Sequence, residues 1–165
     1  MTVETMRNFQ LFVQEQGYAG KIKTFTPPNL AILTEDFRAG NMDMAIAIDV
    51  GMEAMESSWV LTSVEPGILG LSLLANPINV KVRAAQVDTD CEVRPVVFEM
   101  AGKITANEWA ALEAGKVTEC TCKMKLTFYK LTIDGDVIHE IDPENMVRIV
   151  GGEDQLAAIR EAMGV

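Results

Sequence analysis

The sequence predicts a mainly β domain, and three features carry that expectation: a long stretch of period-two alternation, a hairpin turn directly after it, and a shortage of helical stripes. From Cys120, the apolar residues Cys120, Cys122, Met124, Leu126 and Phe128 share one face, while Thr121, Lys123, Lys125 and Thr127 share the other. That alternation belongs to a half-buried strand. After Phe128 the phase flips and Tyr129, Leu131 and Ile133 become the apolar set. A one-residue slip of this kind marks a β-bulge or a bend, and a long bent strand suits a barrel or a corner between two sheets. Asp134–Gly135 follows at once, a dipeptide that favours a tight hairpin because glycine tolerates positive φ. The return strand holds Val137, Ile138 and Ile141 and is closed by Asp142–Pro143.

The remaining elements follow in chain order. Strands are expected over Phe9–Val13, Lys21–Thr26 and Leu30–Phe37, separated by turns at Gly17 and Pro27–Pro28. Gly40–Met55 is unusual. It holds Met42, Met44, Met52 and Met55 around an Ala-Ile-Ala-Ile run without a polar face, flanked by Asp43, Asp49, Glu53 and Glu56. Two readings stand: a buried core strand, or an extended hairpin whose apolar, adaptable methionine surface is covered by another subunit. Ser57–Thr62 is a further strand. Pro66 then opens a short apolar helix running on from Ile68, with proline in its first turn. Val80–Val87 and Val93–Ile104 are strands, the second with Val96, Phe98, Met100, Gly102 and Ile104 in phase and with Pro95 at a strand start or edge. Thr105 and Glu108 have capping-box spacing before Trp109 and Leu112, which predicts a turn or two of helix. The clearest helix is expected over 153–163. Leu156, Ile159 and Met163 form its apolar stripe, Glu153 and Asp154 lie in its first turn, and Gly164 stops it.

Composition narrows the function. The 165 residues suit a single domain spanning 1–165, and 48% apolar with 23% charged residues is the balance of a folded chain. The net charge of −10 opposes phosphate backbones and anionic membrane surfaces. No apolar run is long enough to span a bilayer, and the first ten residues have no cationic start and no apolar core, so no signal peptide is expected. Three cysteines fit a reducing compartment. The single histidine, His139, leaves few ways to assemble acid–base or zinc chemistry.

Individual constellations point the same way. Cys120 and Cys122 alternate on the apolar face without a second pair, so they read as core thiols rather than metal ligands. Cys91 stands among Asp88, Asp90 and Glu92, a solvated hairpin tip without the glycine and final glutamate of a calcium loop. His139 and Glu140 face opposite ways in a strand, and His139 is expected to be partly buried with its hydrogen bonds satisfied. Gly151–Gly152 reads as a helix entry, since Glu153 and Asp154 would repel a phosphate. Trp59 and Trp109 read as core or interface anchors. Residues 134–165 carry eight acids and two bases, while 116–130 carry four lysines and one glutamate. These are either solvated faces or surfaces that meet an oppositely charged neighbour. No catalytic, cofactor or metal residues are assigned, and no enzyme activity is expected.

Several strings in order resemble the major tail tube proteins of contractile-tailed bacteriophages and R-type pyocins. They are TPPNL at Thr26–Leu30, TEDFRAGNMD at Thr34–Asp43, IDVGMEAME at Ile48–Glu56, FYKLTIDG at Phe128–Gly135, HEIDPENMV at His139–Val147 and GGEDQLAAIREAMGV at Gly151–Val165. The resemblance implies two packed, roughly orthogonal antiparallel sheets with a short flanking helix, an extended hairpin over 40–55 and a C-terminal helix over 153–163. It further implies hexameric rings stacked into a tube around a channel, for genome passage or membrane puncture, with the hairpin reaching the adjacent ring. The inter-ring or inter-subunit contacts then fall on Arg38, Met42, Met44, Ile46, Ile48, Met52 and Met55, and Glu153, Asp154 and Glu161 form an acidic surface facing a partner. The implied partners are copies of the chain itself, a contractile sheath protein, and tape measure and baseplate or terminator proteins. Double-stranded DNA is only in transit, and there is no direct membrane insertion. The implied location is a virion tail or bacteriocin particle assembled in the bacterial host cytoplasm. The alternatives are a type VI secretion-like tube or carrier component, and a monomeric β-barrel that binds a small ligand.

Overall fold

A computed structural model describes residues 2–165 as twelve strands and two short helices. In chain order these are β1 (Thr5–Val13), β2 (Gln16–Gly17), β3 (Ile22–Thr26), β4 (Ile32–Phe37), β5 (Ile46–Met52), β6 (Glu56–Leu61), α1 (Pro66–Leu69), β7 (Ile78–Val87), β8 (Val93–Trp109), β9 (Cys120–Ile133), β10 (Asp136–Asp142), β11 (Val147–Val150), β12 (Glu153–Asp154) and α2 (Ala157–Met163). All pairings are antiparallel.

The two longest strands organise the molecule. β8 and β9 pair along their length, from Val96↔Ile133 to Trp109↔Cys120. On its other side, β9 pairs with β6 over its first half and with β10 over its second half. One limb is therefore β3-β6-β9-β8, and the other is β1-β7-β8-β9-β10-β11 with β2 and β12 at its ends. Both limbs turn an apolar face into one core. Trp59, Leu61, Cys120, Cys122, Met124 and Ile104 come from the first, and Leu11, Val13, Val80, Val82, Met100, Tyr129 and Ile141 from the second. Two sheets sharing bent strands is the arrangement that the phase flip predicts. The slip falls at Thr127, which lies between the Ala101↔Phe128 and Gly102↔Leu126 pairs, one residue before the expected point. The hairpin turn is as expected, with φ of +51° at Asp134 and +84° at Gly135.

Three local expectations are corrected. Thr105–Leu112 forms no helical turn: β8 runs on to Trp109, and Thr105 is the extra residue of a bulge. A capping signal is worth about 1 kcal/mol, and here the edge of β9's first half that faces away from β6 supplies a continuous ladder instead. Glu153 and Asp154 are not in a helix but form β12, paired with Val150 and Ile149. Gly151 and Gly152, with φ of +61° and +88°, make the two-residue hairpin turn that permits this. The last helix consequently begins at Ala157, with Leu156 as its N-cap and Gly164 in the left-handed conformation at its end. None of its residues is buried, and Ile159 is 48% exposed, so its apolar stripe does not dock into the core.

Candidate assembly surfaces

β4 and β5 form a two-stranded sheet of their own, hydrogen-bonded to no other strand among the described residues. The projecting hairpin thus begins at Ile32, earlier than the expected Gly40, and its regular pairing ends at Met52. Pairing in the order Phe37↔Ile46, Asp36↔Ala47, Glu35↔Ile48 and Thr34↔Asp49 sorts its side chains. Cross-strand partners share a face, so Leu33, Phe37, Ile46 and Ile48 form an apolar face with Glu35. Thr34, Asp36, Ala47 and Asp49 form a polar one. The apolar face is in water: Phe37, Ile46 and Ile48 are all exposed, and Met44 near the tip is 72% exposed. The segment is therefore an extended, exposed hairpin and not a buried core strand.

The nominated interface residues divide by position. Met44, Ile46 and Ile48 are on the exposed hairpin. Arg38 and Met42 build its tip: Arg38 Nε donates to the Met42 carbonyl at 3.0 Å, and the Met42 sulfur accepts from the Ala39 amide at 3.3 Å. Met52 is half-buried against the core. Met55 is a correction. At 4% exposure it is a core residue, and its carbonyl accepts from the Leu126 amide at 3.1 Å. Following the hairpin, alternation resumes inside the body and carries Met55 inward.

Sequence reasoning missed the contribution of β4. Ile32, Leu33 and Phe37 are exposed, and the available signal was that ILTEDF has apolar residues on both strand faces. It also missed Arg148. The Arg148 guanidinium donates to Asp49 Oδ2 at 2.8 Å, joining β11 to β5, while Asp49 Oδ1 accepts from the Gly51 amide at 3.0 Å. The Arg148 hydrogen bond, followed by the Gly51 one, holds the Asp49 carboxyl below its ordinary pKa of 3.8.

The nominated acidic surface is smaller than expected. Glu153 and Glu161 are exposed. Asp154 is turned inward, where it pairs with Arg160 and accepts from the Leu156 amide at 3.0 Å. Its carboxyl pKa is lowered, chiefly by Arg160.

The outward face of the β3-β6-β9-β8 limb is a ladder of opposite charges. Lys125 pairs with Glu56, Lys123 with Glu108 at 3.0 Å, and Lys23 with Glu119. Lys116 also pairs with Glu113, so three of the four lysines between Lys116 and Lys130 have an acidic partner within the subunit. Trp59 is in the core, whereas Trp109, at the end of β8, is 47% exposed.

The chemistry-bearing residues remain scattered. Cys120 and Cys122 are buried, and burial raises both thiol pKa values, that of Cys122 to about 12. Cys91 is exposed at the β7–β8 tip, where Asp88 Oδ1 accepts from the Asp90 and Glu92 amides at 2.9 Å. His139 is partly buried as expected, but not satisfied: its Nδ1 is buried and has no hydrogen-bond partner among the described residues. Among the described residues, no three of His, Cys, Asp and Glu gather as a metal site.

This double-limbed β fold is shared with chains of contractile injection system assemblies. Solved structures that share it are an extracellular contractile injection system PVC sheath–tube complex in its extended state and the corresponding sheath/tube terminator. The first has a TM-score of 0.59 at 6% identity, covering 75% of this chain and 87% of that one. The second has a TM-score of 0.57 at 10% identity, covering 75% and 92%. The chain belongs to the family described as phage tail tube protein FII, whose model matches residues 3–164. The major tail tube protein of Serratia phage KSP20 is 29% identical over 144 residues, covering 86% of this chain and 84% of that protein. The tail tube protein of Escherichia phage P2 is 26% identical over 166 residues, covering 97% and 96%. These relatives are structural tail proteins rather than enzymes.

Proposed function

We propose that this tail tube protein closes with copies of itself into rings, hexameric by resemblance, that stack around a channel. The observation that carries this reading is the free-standing hairpin, whose face of Leu33, Phe37, Ile46 and Ile48 is exposed to water in the isolated subunit. An apolar projection of this size needs a cover, and a neighbouring ring supplies one.

The β3-β6-β9-β8 limb supports closure within a ring. Among the described residues β3 pairs only with β6, and β8 beyond Gly102 pairs with no strand other than β9, although its Ile104 carbonyl accepts from the Leu73 amide at 2.9 Å, so the open edge lies beyond Ile104. The four strands alternate in direction, so joining β8 of one copy to β3 of the next preserves antiparallel order and removes both edges. The limb with more strands takes the larger radius, and the Lys–Glu ladder then faces the channel. Its nearly balanced charge, on a chain of net charge −10, gives DNA in transit little to hold.

On this reading a contractile sheath surrounds the tube, and tape measure, baseplate and terminator proteins meet its lumen and ends. The location is a virion tail or bacteriocin particle assembled in the host cytoplasm. Negative-stain electron microscopy of the purified protein tests the reading. Rings or tubes are expected at high concentration, and a protein that stays monomeric under all concentrations and salts overturns it.

A further inference from the structure

Among the described residues, one polar side-chain contact ties the β4–β5 hairpin to the rest of the subunit: the Asp49–Arg148 pair. Its two residues are 99 positions apart in sequence. Asp49 lies on the polar face of the hairpin, opposite the face of Leu33, Phe37, Ile46 and Ile48. Whatever holds Asp49 against the body therefore turns the apolar face away from it.

Arg148 is built to hold it. Its side chain is only 14% exposed, against 42% for Asp49. It emerges from β11, and its carbonyl accepts from the Gln155 amide at 2.8 Å. Just beyond, Arg160 of α2 pairs with Asp154 and donates to the Met146 carbonyl at 2.6 Å. Leu156 and Ile159 line the same groove as Met52, Leu126 and Ile141, beneath the base of the hairpin. The arginine thus stands on a braced segment, while the hairpin has a bulge at Val50–Gly51, with Gly51 at φ +137°. A positive-φ glycine in a bulge is a point where a strand changes direction.

We propose that Arg148 is a positioning residue for assembly. It fixes the hairpin at its bulge so that the apolar face is presented to a neighbouring copy, and it makes that presentation depend on the packing of the C-terminal segment. The proposal rests on the reading of the hairpin as an intersubunit contact. It adds the residue that orients the hairpin and the element that braces this residue. Presenting the face in advance lowers the ordering cost that each docking event must meet.

The test compares wild type, Arg148→Gln, Asp49→Asn and the exchanged pair Asp49→Arg/Arg148→Asp. Assembly is followed by light scattering and electron microscopy, the free subunit by thermal melting, and β4–β5 amides in the free subunit by hydrogen exchange. For a partly exposed ion pair, each single variant is expected to raise the critical concentration for tubes about three- to tenfold. Hairpin exchange should accelerate by a similar factor, with β8 exchange and melting unchanged. The exchanged pair should recover most of both effects. Wild-type assembly and exchange in both single variants overturn the proposal. So does a uniform acceleration across β8 with a lower melting temperature, which means that the pair merely stabilises the subunit. If wild type forms no tubes, the assembly reading fails, while hairpin exchange still decides whether Arg148 orients β4–β5.

Discussion

Gly102 stands against the backbone of Lys125: a Cβ built on Gly102 would lie 2.0 Å from the Lys125 carbonyl oxygen and 2.9 Å from the Leu126 Cα. This close approach sits where β9 slips register against β8, the corner at which the two limbs of the sheet meet. Gly102→Ala must push two central strands apart. The expected cost is about 2 kcal/mol or more, which lowers the melting temperature by roughly 4–8 °C in a domain of this size. Thermal unfolding followed by circular dichroism checks it, and an unchanged melting temperature would show that the corner is looser than described.

Replacing Met44, Ile46 and Ile48 together by serine should separate folding from assembly. All three are exposed, and substitutions at such sites usually change stability by about 0.5 kcal/mol or less each. A soluble β-rich subunit with a near-normal melt that forms no long tubes is expected. Normal polymerisation would place the ring-to-ring contact elsewhere.

Acid should loosen the subunit in a defined window. The Asp154 carboxyl is held below its ordinary 3.8, and those of Glu56 and Glu65 below 4.5. The leading causes are hydrogen bonds from Arg160, Lys125 and Ser63 respectively. A carboxyl with a lowered pKa binds fewer protons folded than unfolded, so its contribution is complete above the ordinary value and is lost as pH falls through the lowered one. Melting temperature should be flat above about pH 5 and decline on further acidification. Arg160→Gln should shrink that decline, and an identical acid limb in the variant would remove Asp154 from the explanation.

The three thiols should differ sharply in reactivity. Only Cys91 is exposed, and burial raises the pKa of Cys120 and Cys122. Thiolate is the reactive form, so at pH 8 a disulfide reagent should titrate one thiol in the native protein and three after denaturation. Fast labelling of Cys122 in the folded state would contradict its position in the core.

The C-terminal helix shows how a correct local pattern can mislead. The stripe of Leu156, Ile159 and Met163 predicts a docked helix in which Leu156→Asp would damage folding. Leu156 is instead the half-buried N-cap of a helix with no fully buried residue, lining a surface groove and not the core. The substitution should therefore lower the melting temperature by only a few degrees. A stripe specifies which side of a helix is apolar, but not whether anything lies against it.

By itself, the sequence determined the elements whose signals are local. Period-two alternation marked β9 over its full length, and the phase flip foretold its bend, because side chains in a strand must point alternately to opposite faces. Asp134–Gly135 marked its hairpin, because few residue pairs tolerate two positive φ values in succession. The family strings brought the tube fold with them. Tertiary structure alone decided which apolar residues are covered. Met55 and Met44 look alike in sequence, yet Met55 is 4% exposed and Met44 is 72% exposed. It also decided that β8 continues through Thr105–Trp109, that Glu153–Asp154 pair as a strand, and that Arg148 meets Asp49. Each of these depends on a partner distant in the chain. A residue's period records which way it points, whereas its burial and charge pairing depend on what the rest of the chain brings to that side.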